Sequence, residues 1–264
     1  MNESYIFVNL MGGVGNQLFQ YAAGLLQQKE TNGTLILCKP HTNIHDTQDY
    51  RKILFNNAHH HDDDNLPSHV TLYQDDGYAP WDPSDWKYPI VFLYGYFQHY
   101  PTLKPIMPHF KQTILESLEP YIDKVRKSDY RITFSSIFIH VRRGDYVNNK
   151  DIPHLYDLEY YKKAYNTLLK KRIIYRVFVF SDDIEWCKNQ SFFKSIDCVY
   201  VEETDPIFCL ALMSQIKDGA IIANSTFSWM GAYLGCGLQN VVYPKNWVTD
   251  KTVSICPEEW IEVA

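Results

Sequence analysis

Apolar residues first gather at Tyr5–Leu10 (YIFVNL), a β-branched and aromatic run that stops at Gly12-Gly13-Val14-Gly15. From there Leu18, Tyr21, Ala22, Leu25 and Leu26 recur at helical spacing, and Thr34–Cys38 (TLILC) supplies a second strand. Strand, glycine turn, helix and strand make one βαβ unit. Between His41 and about Trp86 the chain turns polar, rich in His and Asp and punctuated by Pro67, Pro80 and Pro83, which predicts irregular structure with short elements. Ile90–Tyr94 (IVFLY) is again a continuous apolar strand. Ile114, Leu115, Leu118 and Ile122 then suit a helix over 110–125, interrupted near Pro120.

After residue 128 the alternation becomes regular. Strands are expected at 136–141, 177–181, 198–201, 220–223 and 241–243, with helices at 158–171, 184–189, 206–216 and 227–234 between them. Continuous apolar strands alternating with helices indicate a parallel sheet covered on both faces. The predicted class is therefore α/β, with two Rossmann-like parallel-sheet halves facing across a cleft, residues 1–128 and 129–245, followed by a tail at 246–264. Ligands in such sheets sit at the carboxyl ends of the strands.

Charge narrows the function. Lys and Arg total 25 against 31 Asp and Glu, a formal charge of −6, which disfavours a nucleic-acid partner. No run reaches the roughly 18 to 20 apolar residues of a membrane span, and Met1 leads into a strand-like segment, so a soluble, cytosolic chain is expected. The six cysteines are scattered without a C-x-x-C pair or a His at ligand spacing; they read as small buried hydrophobes.

Four polar clusters sit where strands end. Gly12–Gln17 (GGVGNQ) places glycines between strand and helix, suiting either a tight turn or a ligand turn at Gly13, Gly15, Asn16 and Gln17. It is not a dinucleotide fingerprint, because Leu18 stands where a third glycine belongs and Cys38-Lys39 where an acid should end the second strand. A P-loop is absent too. The second cluster closes the strand Ile137–Val141 with His140, Arg142, Arg143, Gly144 and Asp145. Alternation puts His140 and Arg142 on one face, and an Arg fork there suits a phosphate; Arg143 and Asp145 suit an internal ion pair. In the third, Phe180-Ser181-Asp182-Asp183, one of Ser181 and Asp182 is expected to cap the next helix, leaving Asp183 to read a base. The fourth, Asn224-Ser225-Thr226-Phe227-Ser228, carries four hydrogen-bonding side chains in five positions at a helix start. That exceeds what capping requires and suits a diphosphate.

Two other features carry open readings. His59–Asp64 (HHHDDD) contains metal-ligand types and reads mainly as a solvated polar loop. The aromatic segment Trp81–Trp86 suits either stacking on a sugar or packing a loop.

Together the clusters resemble the α-1,2-fucosyltransferases of inverting glycosyltransferase family 11. The resemblance is carried by Gly13–Ala22 (GVGNQLFQYA), Gly95–Gln98 (GYFQ), His140–Tyr146 (HVRRGDY), Phe180–Asp183 (FSDD) and Asn224–Trp229 (NSTFSW), in family order over nearly the whole chain. It implies a GT-B type fold, an acceptor-side first half, a donor-binding second half, GDP-β-L-fucose as donor and no metal or other cofactor. It also implies transfer to the 2-hydroxyl of a galactose-containing acceptor, with room for a position beside membrane-linked glycan precursors. The middle region is short, and Met230 stands where the family commonly has a second Trp; both bear on the acceptor more than on the donor.

In such a transfer negative charge grows on the β-phosphate as the anomeric C–O bond breaks, and a fixed cation there stabilises the transition state. Arg142 fits. The base that assists the acceptor hydroxyl is open among Asp145, Asp151 and His154. A fucosyltransferase of other linkage or with a protein acceptor, and a non-catalytic sugar-nucleotide or glycan-binding module, are the alternatives.

Overall fold

The structure, a computed structural model, describes residues 4–40, 48–63, 65–75, 77–86, 88–144, 158–248, 253 and 255–264. The chain divides into two compact units, Met1–Leu118 and Glu119–Ala264.

The first unit opens with β1 (Tyr5–Val8), α1 (Val14–Thr31) and β2 (Thr34–Cys38), the βαβ unit read from the sequence. It continues through α2 (Arg51–Leu54), β3 (His59–His61), β4 (Thr71–Gln74), a 3₁₀ turn at Pro83–Asp85, β5 (Ile90–Tyr94) and α3 (Tyr100–Leu103). These strands form one parallel sheet in the order β3-β2-β1-β5-β4. Helix α1 lies against it so closely that a Cβ on Gly24 would come within 2.8 Å of Val8 and 2.7 Å of Leu35.

His59–His61, expected in a loop, instead forms the edge strand β3 beside β2. The buried Arg51 side chain explains this. It donates to the carbonyls of Leu37 and His61 at 3.2 and 3.0 Å and pairs with Asp49 and Asp62, tying the ends of both strands to one cation. His60 and His61 have their ring nitrogens on the Phe55 and Asn65 carbonyls.

Helix α4 (Met107–Lys127) carries the boundary between the units inside it, between Leu118 and Glu119, where the sequence reading set the division at about 128. It runs through Pro120 without interruption. Phe110, Ile114, Leu118, Ile122 and Val125 form its buried stripe, while Pro120 is exposed; the carbonyl that loses its partner there is on the water side, where the loss is mild.

The second unit follows as β6 (Ser136–Val141), α5 (Leu158–Leu169), β7 (Arg176–Ser181), α6 (Ile184–Asn189), α7 (Ser191–Lys194) and β8 (Cys198–Tyr200). Helix α8 (Pro206–Gln215), β9 (Ala220–Ile221), α9 (Thr226–Gly235), β10 (Val241–Pro244) and β11 (Ile261–Val263) complete it. All pairs in its six-stranded sheet are parallel, in the order β11-β10-β9-β6-β7-β8. The expected tail after residue 245 therefore ends as a sheet strand, too short to announce itself by alternation. Ile137, Ile139 and Val141 pack toward Tyr160, Tyr161, Ala164 and Leu168 of α5. Phe138 and His140 alternate to the other face, where they meet Phe180 and Phe227. The six cysteines are free; Cys38, Cys187 and Cys209 are buried.

Candidate active site

In the second unit the chain leaves β6 for β7 and β8, then returns to place β9 on the other side of β6. The carboxyl ends flanking such a reversal form the crevice that takes ligands in an open parallel sheet. Three of the four clusters meet there, at the ends of β6, β7 and β9.

His140, the next-to-last residue of β6, is 5 % exposed, its ring 5.7 Å from that of Phe227 in edge contact. Burial, with the Arg142 charge as a second cause, lowers its pKa to about 3. The imidazole is therefore neutral at ordinary pH. Its Nδ1 is buried and has no hydrogen-bond partner among the described residues, an arrangement that native proteins keep mainly where a ligand or water completes it.

One residue beyond β6, Arg142 Nη1 lies 2.9 Å from Asp182 Oδ2, with the Arg side chain 36 % exposed. The other Asp182 oxygen accepts the Arg143 N–H at 2.8 Å. A Cβ on Gly144 would stand 2.7 Å from Asp182 Oδ2, so a side chain there would push on this carboxylate. Arg143 donates from Nε to Asp183 Oδ2 at 3.0 Å and lies over the Trp186 ring, 4.0 Å from its centroid; its expected partner Asp145 lies outside the described residues. Cation and ring attract, and the indole shields the guanidinium from water.

Asp183 has a second commitment. Its Oδ1 accepts the Trp186 N–H at 3.1 Å as the N-cap of α6, the role expected of Ser181 or Asp182. Ser181 instead accepts the Asp183 N–H at 2.9 Å. Both Asp183 oxygens thus already hold protein donors, which sets this residue to brace Arg143 and α6 before any base arrives.

At the end of β9, Asn224 and Ser228 are buried and shape the turn. Asn224 Nδ2 donates to the Trp247 carbonyl at 3.1 Å, and Ser228 Oγ donates to Ser225 O at 3.1 Å. Ser225 occupies the N-cap position of α9, yet its hydroxyl makes no capping bond. Ser225, Thr226 and Phe227 are half-buried. A hydroxyl pair at a helix start can meet an anion, and this start touches β6 through the Phe227–His140 ring contact.

The glycine cluster belongs to the first unit, where the sheet order also reverses, between β1 and β5. Gly12 takes φ +72°, and the exposed Gly13 caps α1 with nothing within 4 Å of a would-be Cβ. Gly15 is buried within the helix. Gln17, expected at a ligand, is buried and donates to the carbonyls of Gly12 and Gln48 at 2.9 and 2.7 Å, so its amide holds the turn. Asn16 accepts from Gln98 Nε2 at 3.1 Å, and Gln20 bridges Met11 N–H and Gly95 O. The Gly13–Ala22 and Gly95–Gln98 motifs are therefore one structural feature. Asp145, Asp151 and His154 lie outside the described residues. Among the described residues no three His, Cys, Asp or Glu side chains gather as metal ligands would.

A family model described as glycosyl transferase family 11 matches residues 2–264. The chain belongs to glycosyltransferase family 11. It is 27 % identical over 308 aligned positions to an α-1,2-colitosyltransferase of Escherichia coli, covering 98 % of this chain and 99 % of the relative. It is 32 % identical over 136 positions to the O-antigen biosynthesis glycosyltransferase WbnK of Escherichia coli, covering 47 % of this chain and 43 % of that one. Among solved structures it resembles the fucosyltransferase NodZ of Bradyrhizobium, with a TM-score of 0.56, 12 % identity and coverage of 89 % and 94 %. It also resembles POFUT1, with a TM-score of 0.52, 13 % identity and coverage of 92 % and 98 %. The fold is that of the GT-B fucosyltransferases.

Two residues of this candidate site escaped the sequence reading as site members. Asp182 holds Arg142 and the Arg143 backbone, and Trp186 carries Arg143. The adjacent acids of FSDD could not be told apart by pattern alone. Trp186 gave one usable signal, standing three residues after Asp183 where a capped N–H belongs.

Proposed function

We propose that this enzyme moves L-fucose from GDP-β-L-fucose to the 2-hydroxyl of a galactose-containing glycan, with inversion, forming an α-1,2 linkage. The observation that carries the reading is the grouping of Arg142, neutral His140 with its unmatched Nδ1, and the Ser225–Thr226 helix start around the β6–β9 reversal. An aromatic-backed, partly polar crevice with a guanidinium and a helix start suits a nucleoside diphosphate. The solved relatives that support the nucleotide are NodZ soaked with GDP-fucose and POFUT1 in complex with GDP-fucose.

In this reading Arg142 exchanges Asp182 for the β-phosphate as the leaving group develops charge. The diphosphate charge is met by Arg142 and α9, so turnover needs no divalent metal. His140, neutral at assay pH, offers a hydrogen bond and no charge. The base for the acceptor hydroxyl is one of Asp145, Asp151 and His154, or the leaving phosphate itself. The catalytic set is Arg142 with that base.

The colitosyltransferase likeness favours a second reading, GDP-colitose as donor. Colitose is fucose without its 3-hydroxyl, so both sugars place the same demands on the diphosphate site. Among the described residues no helix is long and apolar enough to cross a membrane.

The test is incubation with GDP-fucose or GDP-colitose against lactose-type and Galβ1,3GalNAc acceptors, with linkage determined by NMR and a parallel reaction in EDTA. An α-1,2-fucosyl product in EDTA is expected. Product from GDP-colitose alone selects the second reading, another linkage removes the α-1,2 reading, and nucleotide binding without product with either donor marks a binding module.

A further inference from the structure

The first unit contains a cavity of about 660 Å³ that the donor chemistry does not use. Its size falls within the roughly 300–1,000 Å³ of small-ligand sites. Trp81 lies stacked on Trp86, centroids 4.8 Å apart and planes 11° from parallel, and Tyr73 closes on Trp86 from β4 at 3.6 Å. Phe97 abuts Trp81 edge-on at 5.5 Å. Asp75, Asp82 and Asp85 bring carboxylates to the same wall, and no Lys or Arg lines it among the described residues.

We propose that this cleft is a subsite for a neutral pyranose of the acceptor glycan, with the Trp81 indole as platform and the aspartates as hydroxyl acceptors. The proposal rests on the glycosyltransferase reading above and names where part of its acceptor is held. Galactose carries an apolar patch of C–H groups on one face and hydroxyls around its edge. An indole meets the first and carboxylates accept from the second, a combination that aromatic side chains with a polar rim serve well. An anionic sugar or a phosphate would meet three carboxylates and no cation.

Packing alone does not account for the cleft. Trp86 is 1 % exposed and does anchor the loop, with Gln27 donating to its carbonyl at 2.9 Å. Trp81, however, is only half-buried. The Nε1 groups of both indoles are buried without an acceptor among the described residues, donors that a sugar hydroxyl could satisfy. Burial, and after it the Asp85 charge, also raises the Tyr73 pKa above its ordinary value, keeping a further O–H donor protonated in this wall. The loop that delivers Phe97 is held with care. Asp75 Oδ2 accepts the Phe97 N–H at 2.6 Å and the Gly77 N–H at 2.9 Å, and Phe97 takes φ +53°, a conformation that a bulky residue keeps only when its surroundings impose it. The next residue, Gln98, reaches Asn16 on α1. The cleft is thus continuous with the Gly95–Gln98 motif.

The experiment uses the full chain and separates this subsite from the donor site. Saturation-transfer NMR and tryptophan fluorescence with lactose alone, without nucleotide, report glycan contact, and calorimetry with GDP reports the donor site. Trp81→Ala and Asp85→Asn should each raise the acceptor KM about tenfold, the order expected of one aromatic or hydrogen-bonding contact, and shift the lactose titration by the same factor, with kcat within twofold and GDP affinity unchanged. Trp81→Phe should recover part of the affinity, and circular dichroism checks each fold; where Trp81→Ala does not fold, the exposed Asp85 decides. Unchanged acceptor KM in folded Trp81→Phe and Asp85→Asn overturns the subsite, as does displacement of the fluorescence signal by choline and not by galactosides. Lactose binding weakened in these variants of a chain that forms no product from either donor leaves the subsite standing and removes the transferase reading.

Discussion

Arg142 and Asp182 meet at 2.9 Å, and the same carboxylate holds the Arg143 N–H. One acid thereby fixes the backbone at the end of β6 and occupies the guanidinium proposed for the β-phosphate. The two roles separate on substitution. Asp182→Asn keeps an oxygen for the Arg143 N–H and removes the competing charge, so GDP should bind up to about fivefold more tightly, the range of a partly exposed ion pair. Arg142→Lys should lower kcat on the order of 10²-fold, because a point charge does not replace the fork at a developing oxyanion. Calorimetry and saturated turnover measure the two effects. Weaker GDP binding in Asp182→Asn, or normal turnover in Arg142→Lys, would undo this division of labour.

Asp183 presents a different separation. It caps α6 and braces Arg143, so Asp183→Ala should lower stability by roughly 0.5–2 kcal/mol through the lost cap alone. Asn is as good a cap. Asp183→Asn should therefore stay near wild type in urea midpoint while weakening GDP through a looser Arg143, with kcat at saturation changed little. If the Asn variant binds GDP normally and still discriminates against ADP as the wild type does, Asp183 neither sets Arg143 for GDP nor reads a base, and its role is the cap of α6.

How far the sequence could be read follows from what each element leans on. Thr34–Cys38 and Ser136–Val141 were legible to the residue because each is a short, nearly continuous apolar run, the second buried on both faces. His59–His61 was not, since its pairing depends on Arg51 reaching two carbonyls from elsewhere in the chain. Pro120 misled because its tolerance depends on which face meets water. At the site, strand-end position pointed to His140, Arg142 and Asn224–Ser228. Partner choice did not follow from it: Arg143 lies over Trp186 and pairs with Asp183, a contact between two strand ends that no local spacing encodes.

His140 makes stability depend on pH. Its folded pKa of about 3 lies below the roughly 6.5 of an unfolded histidine. Between those values the unfolded chain binds a proton that the folded chain refuses, so this contribution is complete above about pH 6.5 and is lost as pH falls toward 3. His140→Gln removes that part of the slope. The stability advantage of wild type over the variant, from urea midpoints, should shrink by up to about 1.4 kcal/mol per pH unit on acidification below 6.5. A difference that stays constant from pH 7.5 to 5 would mean that His140 is not held neutral.

The same property bears on the search for the base. A histidine that stays neutral to about pH 3 cannot produce a kinetic limb near neutrality, so an acidic limb in kcat must come from another group. His154 is the candidate whose ordinary pKa, roughly 6.5, lies in that range, whereas Asp151 or Asp145 would need strong desolvation to reach it. His154→Ala should lower kcat, leave GDP affinity unchanged and remove the acidic limb, while Asp151→Ala should leave the limb in place. A limb that survives His154→Ala and vanishes with Asp151→Ala gives the role to the carboxylate. If both variants keep wild-type turnover and profile, the segment after Gly144 only shapes the acceptor site, and the proton leaves through Asp145 or to the departing diphosphate.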